Sequence, residues 1–227
     1  MRAPTVLLFD IDGTLVTTGG AGRRAIERAF ETVTGIRDAM RFSFGGMTDR
    51  AIVRAGLESA ELVVSEAAID ELLAVYLGVL PEEVERAREY FVHPGMREAV
   101  VTARQTRGVA VGLGTGNVRA GARIKLERVS LYDQFAFGGF GCDHEDRAEL
   151  LRVGAERGAA ALGVERGECR VVVIGDTVRD VDAALRIGAE CIGVGTGVGT
   201  PETLSGRGAT AVFATLAVPG ALEALLG

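Results

Sequence analysis

The chain has 227 residues, 48% of them hydrophobic, which suits one large domain or a core carrying an insertion and excludes a disordered chain. Twenty-five Lys and Arg stand against 31 Asp and Glu, a net charge of −6, so no nucleic-acid or anionic-membrane surface is expected. Lys125 is the only lysine and lacks the glycine frame of a Walker phosphate loop, and with no Trp there is little on which to stack bases.

Cys142, Cys169 and Cys191 are odd in number and have no Cys-x-x-Cys spacing. They read as reduced, mostly buried thiols of a cytoplasmic protein. No apolar run approaches a membrane span, and the one at Val6–Phe9 is broken by Asp10 and Asp12, so neither a leader nor a membrane partner is expected.

Val6–Phe9 reads as a buried parallel strand with its loop at the carboxyl end. Further strands are predicted at Val109–Leu113, Phe135–Phe137, Arg170–Ile174 and Cys191–Val194, with an apolar piece at Thr210–Phe213. Helical stretches at Val118–Val129, Arg147–Leu162 and Val181–Ile187 alternate with them, which implies βαβ units and a mostly parallel sheet covered on both faces. Residues 18–91 break the alternation. Ile26, Ala29, Phe30 and Val33 form one helical stripe, and Ile69, Leu72, Leu73, Tyr76, Leu77 and Leu80 form another. Pro81-Glu82-Glu83 reads as a new helix start, and His93-Pro94-Gly95 as a return hinge with His93 at a hinge or surface. The predicted architecture is therefore an α/β, Rossmann-like parallel sheet core from 1–17 and 92–227, with an inserted helical cap over 18–91.

Asp10 and Asp12 follow the first strand, and strand periodicity aims both carboxylates the same way. Asp176 and Asp180, in Gly175-Asp176-Thr177-Val178-Arg179-Asp180, follow another strand at the same sheet edge. Hard oxygen donors gathered in this way suit Mg²⁺. Gly114-Thr115-Gly116-Asn117 closes a third strand and offers backbone N–H groups and the Thr115 hydroxyl to a phosphate.

In content and order these motifs resemble the haloacid dehalogenase superfamily, and the resemblance covers nearly the whole chain. The first family motif falls on Asp10, Asp12 and Thr14, the second on Thr115, and the last on Asp176 and Asp180. The resemblance implies a phosphatase of the phosphoglycolate-phosphatase-like branch. Asp10 would be the nucleophile and Asp12 the acid and base. Thr115, with Thr14, Gly116 and Asn117, would hold the phosphate. Mg²⁺ would lie on Asp10, the Asp12 backbone carbonyl and Asp176, with Asp180 in support. The family's basic position, usually Lys, is Arg147 here, and Lys125 is the other candidate.

Asp12 favours phosphoryl transfer, because a halide leaving group needs no proton. A sugar-phosphate mutase and a catalytically idle phosphate-binding regulator are the alternatives. The expected partner is a small phosphate ester; monomer and homodimer are both left open. Gly45-Gly46-Met47-Thr48-Asp49-Arg50, Arg23 and Arg24 read as solvated loop or helix ends near the leaving group, and His144 as loop-exposed.

Overall fold

The computed structural model describes residues 3–227. Six parallel strands form the central sheet: β1 (Thr5–Phe9), β4 (Val109–Thr115), β5 (Phe137–Phe140), β6 (Arg170–Gly175), β7 (Glu190–Val194) and β8 (Ala211–Phe213), in the order β5-β4-β1-β6-β7-β8. β1 lies at the centre, pairing Phe9 with Leu113 on one side and with Ile174 on the other. This register brings the carboxyl ends of three strands together, and with them the loops that begin at Asp10, Gly116 and Asp176.

Alternate residues of each strand feed two cores. Leu7, Phe9, Leu113 and Ile174 pack on one face with α4 (Met96–Gln105) and α5 (Arg119–Glu127). Val6, Leu8, Val171 and Val173 pack on the other with α6 (Arg147–Leu162) and α7 (Val178–Arg186). Burial on both faces explains the unbroken apolar runs that mark these strands. The chain closes with α8 (Pro201–Arg207), which packs on β7 and β8, and α9 (Ala221–Leu226), whose Ala221 and Leu225 join the first of these cores.

A third core belongs to α1 (Ala21–Thr34), α2 (Asp49–Ser59) and α3 (Glu66–Arg86), where Ile26 and Phe30 meet Leu73, Tyr76 and Leu80. The chain leaves and rejoins the α/β core through an antiparallel pair, β2 (Val16–Thr17) with β3 (Phe91–Val92).

Four expectations are corrected. Pro81 starts no helix but lies inside α3, because continuing the helix buries Leu80 and Val84 in the same core as Tyr76. β5 occupies Phe137–Phe140 rather than Phe135–Phe137, on a Gly-Gly pair that reads as a turn. A Cβ at Gly139 would fall 1.8 Å from the Leu150 carbonyl, so the glycine lets the strand lie directly on α6. His93 does sit at the return hinge, but it is buried, its Nε2 3.2 Å from the Thr17 hydroxyl. Of the cysteines only Cys191, inside β7, is buried, while Cys142 lies exposed in the loop after β5. No helix among the described residues is long and apolar enough to cross a membrane.

Candidate active site

Asp10 leaves β1 with its backbone N–H bonded to the Ile174 carbonyl, 2.9 Å away, which ties the loop to the neighbouring strand. Three residues on, Gly13 has φ 80°, and a Cβ there would meet the Asp176 carboxylate at 2.7 Å. A glycine is required both for the turn and for this close approach. Carboxylate oxygens of Asp10, Asp176 and Asp180 all lie within 4.8 Å of one another.

Arg147, the first residue of α6, enters this cluster from the side. Its Nε donates to Asp180 Oδ1 at 2.8 Å, and its Nη2 lies 2.9 Å from Asp10 Oδ2 and 2.5 Å from Asp180 Oδ1. Nη2 is sealed from solvent and aligns a hydrogen bond with neither, while the residue as a whole borders the cavity shared by Asp10 and Asp176. Asp180 is fully committed: besides Arg147 it accepts from the Thr177 N–H at 3.0 Å and the Thr177 hydroxyl at 2.7 Å, capping α7.

Asp12 turns away from the three carboxylates toward α5. Its Oδ2 accepts from Lys125 Nζ at 2.6 Å and from Asn117 Nδ2 at 2.9 Å, and its Oδ1 accepts from the Thr18 hydroxyl at 3.1 Å. Lys125 is buried and also donates to Asn117 Oδ1 at 2.6 Å. The two cationic candidates therefore take different places, Arg147 beside Asp10 and Lys125 beside Asp12.

Gly116, Asn117, Lys125 and Arg147 line the cavity with Asp10, Asp12 and Asp176. Thr115 and Thr14 are both completely buried instead. The Thr115 hydroxyl accepts from Asn117 Nδ2 at 2.9 Å, and the Thr14 hydroxyl donates to Asp176 Oδ1 at 3.0 Å. In this conformation both orient other site residues.

Burial raises Asp10 to about 6 despite the Arg147 charge, with the charges of Asp180 and Asp12 adding to the rise. Burial, with the charges of Asp180 and Asp10, raises Asp176 to about 7. At Asp12 burial acts upward too, but the Lys125 charge and the hydrogen bonds from Lys125, Asn117 and Thr18 outweigh it and hold the carboxyl below the ordinary range. Crowded carboxylates with a raised proton affinity form a site that a cation relieves. The donor set fits Mg²⁺: all donors are hard oxygens, and Asp10 and Asp176 border the cavity.

The raised Asp176 carboxyl has a defined effect on stability. Its contribution is fully present below the unfolded value of 3.8 and is lost as pH rises through about 7. In chelator, the melting temperature of the parent minus that of Asp176→Asn is expected to fall as pH rises from about 4 to about 8. A flat difference across that window would refute the raised proton affinity.

The helical unit closes the cavity from above. The Asp49 N–H donates to the Gly116 carbonyl at 2.8 Å, and the Thr48 hydroxyl donates to the Glu145 carbonyl at 3.1 Å. A Cβ at Gly116 would fall 2.3 Å from the Met47 carbonyl, so this glycine admits the contact. Thr48 and Asp49 are accordingly buried rather than solvated. Thr48 caps α2, and a Thr-Asp helix start was the available signal. Arg23 keeps an exposed ion pair to Glu27 at 2.9 Å, and Arg24 reaches Glu83 at 2.8 Å. His144 is exposed, as expected.

Comparison with known proteins agrees with this architecture. A family model described as haloacid dehalogenase-like hydrolase matches residues 4–188. A protein named "Probable phosphatase IndB", from Dickeya dadantii (strain 3937), is 28% identical over 236 residues, covering 97% of this chain and 94% of its own length. The structure of CbbY from Rhodobacter sphaeroides in complex with phosphate superposes with a TM-score of 0.74 at 16% identity, covering 99% of both chains. A hydrolase from Pseudomonas syringae gives 0.68 at 20% identity, covering 95% of each chain.

Proposed function

The chain belongs to the haloacid dehalogenase-like hydrolase family, and on that premise we propose that it is a Mg²⁺-dependent phosphatase acting on a small phosphate monoester through a phosphoryl-Asp10 intermediate. The observation that carries this reading is the division of the site between two cations. Arg147 Nη2 lies 2.9 Å from Asp10, at the end of the cavity assigned to the phosphate, while Lys125 Nζ lies 2.6 Å from Asp12, on the leaving-group side. The phosphatase named among the relatives points the same way.

Asp10 attacks phosphorus as the bond from phosphorus to the ester oxygen breaks, and Asp12 gives its proton to the departing alcohol. Lys125 keeps Asp12 ionised before substrate arrives; a phosphate dianion beside it raises its proton affinity and readies it as the acid. In the second half Asp12 takes a proton from water, whose oxygen attacks phosphorus and releases Asp10. Gly116, Asn117 and Arg147 line the phosphate end and orient the transferring group. Asp10 and Asp176 would hold Mg²⁺, with Asp180 fixing Arg147 beside them; bound there, the ion offsets repulsion between the carboxylate and the phosphate dianion. The helical unit acts as a cap that excludes bulk water from the phosphoryl-enzyme.

Purified protein is expected to release phosphate from p-nitrophenyl phosphate with Mg²⁺ and to lose at least about 10²-fold of that rate in chelator. Absence of turnover across a panel of phosphate esters would sink the phosphatase reading. Conversion of a sugar monophosphate to its isomer without phosphate release would replace it with a mutase.

A further inference from the structure

The cavity of about 250 Å³ has two unlike halves. One holds Asp10, Asp176 and Arg147. The other, under the helical unit, is walled by Ile26, Phe44, Met47 and Ile52, with two polar side chains, Asp49 and Tyr76, set among them. Asp49 is 7% exposed and Tyr76 is 1% exposed.

Asp49 Oδ2 accepts from the Val118 N–H at 2.8 Å, but among the described residues its Oδ1 has no hydrogen-bond partner, and neither has the Tyr76 hydroxyl. Among the described residues the only sealed, unpartnered side-chain polar atom is Arg147 Nη2. The free atoms of Asp49 and Tyr76 therefore keep access to the cavity they line. Buried polar groups of this kind call for a partner, and an incoming ligand is the one the geometry admits.

The cations bordering the cavity are already engaged. Lys125 is held by Asp12 and Asn117, each at 2.6 Å. Arg23 is paired with Glu27 at 2.9 Å, donates to the Phe42 carbonyl at 2.7 Å, and lies over the Phe44 ring at 3.7 Å. Arg147 belongs to the phosphate end. A carboxylate or second phosphate on the leaving group would meet apolar walls and the Asp49 carboxylate, without a free cation to compensate.

Resting on the phosphatase reading, we propose that this half is a leaving-group subsite for a neutral alcohol bearing a hydroxyl or N–H donor, with Asp49 as acceptor and Tyr76 as its partner. It discriminates against a second anion, and so against phosphoglycolate itself.

Three probes of similar size decide the point: 2-hydroxyethyl phosphate, ethyl phosphate and phosphoglycolate. The parent is expected to favour 2-hydroxyethyl phosphate over phosphoglycolate by about tenfold or more in kcat/KM. Asp49→Asn keeps an acceptor for the Val118 N–H while removing the charge, and should narrow that ratio to about threefold. Tyr76→Phe should shrink the preference for 2-hydroxyethyl over ethyl phosphate. Each readout is a ratio within one variant, so partial loss of folded protein cancels.

Calorimetric binding of the same probes to Asp10→Asn with Mg²⁺ separates this inference from the one beneath it. The same order of affinities without turnover by the parent would overturn the phosphatase reading and sustain the subsite. Preference of the parent for phosphoglycolate, a ratio unmoved by Asp49→Asn, or no binding of any probe would overturn the subsite.

Discussion

Asp10→Asn is expected to lower phosphate release by at least about 10³-fold while changing stability by no more than about 1 kcal/mol. The two effects separate because Asn keeps the shape and the acceptor oxygen but loses the nucleophilic charge. In the resting protein that charge is costly to keep: burial and the neighbouring Asp180 and Asp12 charges raise the group to about 6, with Arg147 opposing them. A neutral side chain escapes the repulsion and gives up the attraction of Arg147, which retains Asp180 at 2.8 Å. Asp180→Asn should behave in the opposite way. Asp180 is completely buried and bonded to Thr177 and Arg147, so altering it disturbs the start of α7 and the anchor of Arg147 together. Chemical denaturation and single-turnover assays on the two variants check the contrast. Parent-like turnover by Asp10→Asn would remove it as the nucleophile.

The strand-end acids were legible because each follows an unbroken apolar run, and the β1 register with β4 and β6 explains why they converge. Arg147 was legible from its place at the start of α6. Lys125 was harder to read, since a helix lysine ordinarily faces solvent. Its neighbours Gly121, Ala122 and Leu126 are the buried positions of α5, however, and a lysine among them marks a buried face. Asp49 was obscured by the glycines before it, which suggest a flexible loop; in the fold they let the segment press onto Gly116 and Thr177. β5 failed for a related reason, since Gly138 and Gly139 pair with β4 through backbone alone. In each case a close approach of backbones replaces the side-chain pattern on which sequence reasoning depends.

Arg147→Met is expected to destabilise the metal-free protein by about 3–5 kcal/mol near neutral pH, the usual range for removing one partner of a buried ion pair. Arg147 is the only cation within ion-pair distance of Asp10 and Asp180 among the described residues. Without it, the carboxylates of Asp10, Asp176 and Asp180 remain within 4.8 Å of one another and uncompensated. Protonation or separation must relieve the repulsion, so the loss should shrink as pH falls through about 7 and about 6, where Asp176 and Asp10 gain protons. Mg²⁺ should restore more stability to the variant than it adds to the parent. At 100 times its dissociation constant a ligand bound only by the folded state contributes about 2.7 kcal/mol, and the variant offers it the more negative site. Activity should not follow stability back. Met supplies no cation at the proposed phosphate end of the cavity, and a deficit of about 10²-fold or more should persist at saturating Mg²⁺. Arg147→Lys should recover part of the stability, because one ammonium cannot reach Asp10 and Asp180 with the same fork. Melting curves with and without Mg²⁺ at about pH 5 and about pH 7.5 test the whole pattern. A variant as stable as the parent in chelator at the higher pH would show that the carboxylates are balanced by something other than Arg147.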